Sequence, residues 1–60
     1  MKRRDLIVLL ERMGCVLIRN GAKYDIYHNP NNGKTEPVPR HRDINERLAQ
    51  KIIKSLTQDN

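Results

Sequence analysis

Two dense turn signals, Asn20-Gly21 and the run Asn29-Pro30-Asn31-Asn32-Gly33, stand a few residues apart and constrain the fold more than anything else in this chain. Short segments joined by turns this tight pair as antiparallel strands. The segment CVLIRNG, Cys15 to Gly21, is aliphatic and β-branched and closes on Asn-Gly, the strongest short-range hairpin signal, so it reads as the first strand. Alternation along the second strand puts Lys23, Asp25 and Tyr27 on one face and Tyr24, Ile26 and His28 on the other. A third strand follows over Lys34–Val38. Pro37 and Pro39 have no N–H to give to a ladder, which makes this strand short, irregular or an edge strand. It runs into a basic corner, Arg40-His41-Arg42.

Helical periodicity flanks the strands. From Arg3 to Met13, Leu6, Leu9, Leu10 and Met13 recur at intervals of three and four, and Gly14 is placed to stop the helix. Ile7 and Val8 widen the apolar arc, as a second covered side would require. Ahead of the last helix, Asp43 and Glu46 have capping-box spacing, with Asn45 as the alternative cap. Leu48, Ala49, Ile52, Ile53 and Leu56 then form one apolar stripe, opposite Arg47, Gln50, Lys51 and Lys54. The tail Thr57–Asn60 is expected to fray. The order αβββα predicts a single α+β domain over residues 1–60, a three-stranded antiparallel sheet carrying two helices on one face.

A chain of 60 residues buries only about 60% of its unfolded surface, so stability is expected to lean on a partner chain or a homodimer. The single cysteine, Cys15, excludes an internal disulfide. It reads as a small buried apolar residue, not as a nucleophile, since no basic neighbour in sequence lowers its pKa. The opening MKRRDLIVLLERMG is basic and then apolar, but Asp5, Glu11 and Arg12 interrupt it and no small-residue cleavage site follows, so a soluble cytoplasmic protein is expected. Twelve Lys and Arg against seven Asp and Glu give a net charge of +5, which favours a polyanionic partner as readily as it favours solubility. Nucleic acid leads over a membrane, because the cations are scattered and there is no Trp or Phe to anchor an interfacial helix. No glycine-rich phosphate loop, paired carboxylates or metal-ligand spacing points to a cofactor or metal.

The opening KRRDLIVLLERMG, the triplet Asp25–Tyr27 followed by Asn29-Pro30, the block Pro37-Val38-Pro39-Arg40-His41 and a final helix LAQKIIKSL together resemble the HicA-type toxins. These are small mRNA interferases of bacterial toxin–antitoxin pairs, with a fold like that of double-stranded-RNA-binding domains. The resemblance implies a metal-independent endoribonuclease acting on mRNA. It also implies a HicB-type antitoxin that covers the active surface and represses transcription of the pair, with the toxin a monomer or a partner-dependent oligomer.

One departure bears on the chemistry. Relatives resembling this chain carry their catalytic histidine just before Asp-Ile-Tyr, and Tyr24 stands there. A neutral imidazole takes a 2′-hydroxyl proton near pH 7, whereas a phenol, with a pKa of about 10, is a poor base. Weakened or absent cleavage is the expectation, with a catalytically silent RNA-binding or antitoxin-binding module as the alternative. His28 lies roughly 13 Å along the strand from Tyr24, too far to replace that base. His41 could meet phosphate when protonated. Asp25 reads as an exposed strand carboxylate on the opposite face. Lys23, Lys34 and Arg40 are expected to cluster around the hairpins, with Arg19 approaching from the first strand and His41 beside Arg40, as phosphate contacts. Tyr27 is expected in the core or at the antitoxin interface.

Overall fold

The structure, a computed structural model, describes residues 1–58. Its elements are α1 (Arg3–Arg12), β1 (Val16–Asn20), β2 (Tyr24–Asn29), β3 (Lys34–Pro39) and α2 (Glu46–Thr57). The strands form one antiparallel sheet in the order β1-β2-β3, the αβββα architecture expected. Side chains on one face of the sheet reach both helices: Asp25 pairs with Arg3 of α1, while Asn29 and Glu36 bond to Leu56 and Ser55 of α2. Both helices therefore lie on that face.

α1 ends as its glycine requires. Gly14 takes φ +92°, its N–H donates to the Glu11 carbonyl at 3.1 Å, and the Cys15 N–H donates to the Leu10 carbonyl at 3.0 Å. That pair of bonds is a Schellman stop, and it turns the chain directly into β1. The core it encloses is built from Leu6, Leu10, Cys15, Tyr27, Val38, Ile44, Ala49, Ile52 and Leu56. Leu6, Leu10, Val38, Ile52 and Leu56 are fully buried, and such side chains each contribute roughly 1.5–3 kcal/mol relative to exposure. The outer parts of the predicted α1 arc are not covered: Val8 and Met13 stay exposed, and Ile7 packs at the core margin.

The first turn falls where the Asn20-Gly21 signal places it. Three residues, Gly21-Ala22-Lys23, connect β1 to β2, and neither Asn20 nor Gly21 adopts the positive φ of a two-residue Asn-Gly turn. Glycine is required here for closeness: its N–H donates to the Tyr24 carbonyl at 2.7 Å, and a Cβ would stand 2.7 Å from that same oxygen. β1 pairs with β2 through an irregularity between Leu17 and Arg19, and all five of its residues are exposed. β3 runs one residue beyond the predicted Val38 and pairs with β2 along its whole length, at a sheet edge as its prolines demand.

The second turn fastens the sheet to α2. Gly33 takes φ +72°, and the Asn29 side chain accepts the Asn31 N–H at 2.9 Å while donating to the Leu56 carbonyl at 2.5 Å. Asn32 donates to the carbonyls of Leu56 and Gln58. These amides occupy carbonyls that the helix end leaves without intrahelical partners. At the other end Asn45, not Asp43, is the cap, accepting from Arg47 and Leu48 N–H, so the Asp43–Glu46 box is not formed. Thr57, assigned to the fraying tail, is the last helical residue and bonds to the Ile53 carbonyl; residues 59–60 of that tail lie outside the described residues.

Candidate nucleic-acid interface

Tyr24 opens β2 opposite Pro39, the last residue of β3, and the Arg40 N–H donates to the Lys23 carbonyl at 3.3 Å. The end of the sheet thereby brings together Lys23, Tyr24, Arg40 and His41 around an open cleft of about 460 Å³. All four are exposed. Two cations, an imidazole and a phenol at one mouth suit an anionic, ring-bearing ligand.

Behind the cleft, Asp25 corrects the sequence reading. Its side chain is only 14% exposed, held between Arg3, whose Nη2 is 2.6 Å from Oδ2, and Arg40, whose Nε and Nη2 are 3.1 and 2.7 Å from Oδ1. The strand face carrying Asp25 is the one α1 covers, and Arg3 in the first turn of that helix also donates to the Pro39 carbonyl. Arg40 spends two of its five donors on Asp25 and, with its side chain 46% exposed, retains others at the cleft. No local spacing announced this clamp, because 22 residues separate Arg3 from Asp25.

Of the other predicted contacts, Arg19 is opposite Ile26 and so shares the outer face of the sheet with Tyr24. Lys34 does not join them. It pairs with Asn29 at the far end of the sheet, five strand positions or roughly 17 Å from Tyr24. His28 also stays apart, with its Nδ1 3.1 Å from the Thr35 hydroxyl. His41, by contrast, enters the Tyr24 cleft. Tyr27 is buried in the core, where desolvation raises its hydroxyl pKa above the usual value, and burial likewise raises the Cys15 thiol.

A second basic group had no counterpart in the sequence reading. Lys2, Arg3, Arg4 and Arg42 line a cavity of about 230 Å³ at the start of α1. Among the described residues, no cluster of three or more His, Cys, Asp or Glu is placed to hold a metal ion, and no helix is long and apolar enough to cross a membrane.

An αβββα domain with an exposed cationic cleft at one sheet end is the class that fold and surface define. The family model for the HicA toxin of bacterial toxin–antitoxin systems matches residues 3–57, nearly the whole chain. The chain belongs to the HicA toxin family and is the toxin of a toxin–antitoxin pair, with an antitoxin as its partner. Comparison with curated proteins and with solved structures gives no significant match.

Proposed function

We propose that this toxin binds messenger RNA in the Lys23–Tyr24–Arg40–His41 cleft and across the adjoining outer sheet face, and that its RNA cleavage is weak or absent. The observation that carries the proposal is the convergence of Lys23, Tyr24, Arg40 and His41 in one open cleft; the family resemblance implies that Tyr24 stands where the catalytic histidine would be. Metal-independent RNA cleavage, in which the 2′-oxygen bonds to phosphorus as the P–O5′ bond breaks, needs a base for the 2′-hydroxyl proton, an acid to protonate the departing 5′-oxygen and cationic donors for the charge on the non-bridging phosphate oxygens. Lys23 and Arg40 suit the last task. Tyr24 does not suit the first near neutral pH, and it serves instead as a hydrogen-bond donor or a platform on which a base stacks. His41 is the imidazole in the cleft and the residue on which any residual activity would depend. A HicB-type antitoxin would cover this cleft, and the exposed apolar residues Val16, Leu17 and Ile18 on the edge strand β1 offer a partner further apolar surface.

RNA cleavage by the purified chain, by Tyr24→His and by His41→Ala, in chelator and with binding recorded on the same samples, tests this. Cleavage appearing or rising sharply in Tyr24→His supports the site. A well-folded Tyr24→His that binds RNA and remains inert points to the silent module, and failure of every form to bind RNA removes the reading.

A further inference from the structure

The cavity at the start of α1 is held in place by pairing of the N-terminal residues with the segment that leads into α2. The Arg3 N–H donates to the Arg42 carbonyl at 2.9 Å, Lys2 bridges to Asp43, and Met1 and Ile44 exchange bonds at 3.0 and 2.7 Å. This pairing sets Arg42 beside the first turn of α1. Lys2, Arg4 and Arg42 are exposed there, and among the described residues none of them pairs with a carboxylate, although Asp5 and Asp43 are adjacent in sequence. Two of the three stand at the positive end of a helix, where cations repel the backbone dipole and an anion relieves both.

This basin adjoins the Tyr24 cleft. Arg3 lines the basin and Arg40 lines the cleft, and the two guanidinium groups grip opposite oxygens of the single Asp25 carboxylate. The Arg3–Asp25–Arg40 clamp is thus a shared wall, itself carrying one net positive charge, between two cationic hollows. A strand with regularly spaced phosphates that fills the cleft meets the basin next.

We propose that Lys2, Arg4 and Arg42 form a second phosphate-binding subsite that holds the RNA strand where it leaves the Tyr24 cleft. The subsite rests on the RNA-binding reading of that cleft. It grips backbone and leaves sequence unread, since it offers only charge and guanidinium donors.

The test compares wild type with a Lys2→Gln/Arg4→Gln/Arg42→Gln variant on two single-stranded RNAs, a trinucleotide and a dodecamer. A charge-matched control, Arg47→Gln/Lys51→Gln/Lys54→Gln on the polar side of α2, is run beside them. Loss of two or three phosphate contacts lowers the slope of log affinity against log salt by about 2 on the dodecamer, with at least a roughly tenfold loss at low salt. The trinucleotide is expected to bind all three proteins alike. A dodecamer slope equal to wild type overturns the subsite, as does an equal loss in the α2 control, which would mark a general charge effect. If wild type binds neither RNA, the functional reading falls and the subsite with it. If wild type binds both and the basin variant matches it, only the subsite falls.

Discussion

Arg40 reaches Asp25 with two donors, Nε at 3.1 Å and Nη2 at 2.7 Å, and both land on the same carboxylate oxygen. The other oxygen is taken by Arg3 at 2.6 Å. One carboxylate therefore ties the first turn of α1 to the segment that follows β3, and it sets the back wall of the cleft. In Asp25→Asn both arginines lose their counter-charge, and for a pair that is partly exposed the expected loss is about 1–3 kcal/mol. In a domain of this size that lowers the melting temperature by several degrees, about 4–8 °C for each kcal/mol. RNA affinity is expected to persist, because the variant frees Arg40 and removes a negative charge behind the cleft. Circular-dichroism melts and a binding titration on the same sample check both halves; an unchanged melting temperature would remove the clamp from the account of stability.

Lys23 and Lys34 look equivalent on paper and sit at opposite ends of the sheet. Lys23→Ala is expected to weaken RNA binding several-fold and to reduce the salt slope by about 0.7, the share of one phosphate contact on a single strand. Lys34→Ala leaves both unchanged within error on a short RNA that fills the cleft. Titrations at three or more salt concentrations separate the two, and equal effects from both lysines would contradict the assignment of the cleft.

Periodicity and turn chemistry carried the fold. The stripes of α1 and α2, the stop at Gly14 and the alternation of β2 each follow from local rules, and each appears in the structure. What local rules could not supply was the third dimension of the charges. Asp25 read as exposed because an alternating strand does not reveal which helix lies over it. Arg3 carries no local signal of its role, because its partner is 22 residues away. Lys34 stands away from Lys23 for a related reason: successive turns of an antiparallel meander fall at opposite sheet ends. The Asn20-Gly21 signal locates a real turn, in which the glycine answers to a close carbonyl and not to a positive φ. His41 entered the cleft only through the path of the chain after Pro39, which the turn residues did not determine.

Burial of Cys15 and Tyr27 has a consequence at alkaline pH. Desolvation raises both groups above their ordinary values of 9.0 and 10.0; for Tyr27 Arg3 opposes the shift, while Glu11 and Asp25 add to it. The folded state then holds these protons more tightly than the unfolded state, and stability that is complete below the ordinary values is lost as pH rises through them towards the raised ones. Urea midpoints measured from about pH 8 upwards should fall, and Cys15→Ala should fall less steeply near the thiol's ordinary value even though its midpoint at neutral pH is lower for lack of packing. Parallel curves for the two proteins would mean that Cys15 does not contribute to the alkaline loss.

Gly21 and Gly33 close the two turns under different constraints, and substitution to alanine tells them apart. Gly33 has φ +72° with nothing within 4 Å of an added Cβ, so Gly33→Ala meets only the left-handed backbone penalty, about 1–2 kcal/mol. At Gly21 the added Cβ would meet the Tyr24 carbonyl oxygen at 2.7 Å, a backbone atom that cannot swing aside. The hairpin has to open there, breaking the Gly21–Tyr24 hydrogen bond and moving Lys23 and Tyr24 away from Arg40 and His41. Gly33→Ala should therefore lower the melting temperature while RNA binding stays at the wild-type level, whereas Gly21→Ala should lower both. Intact RNA affinity in a folded Gly21→Ala protein would show that the geometry at the start of β2 does not govern binding.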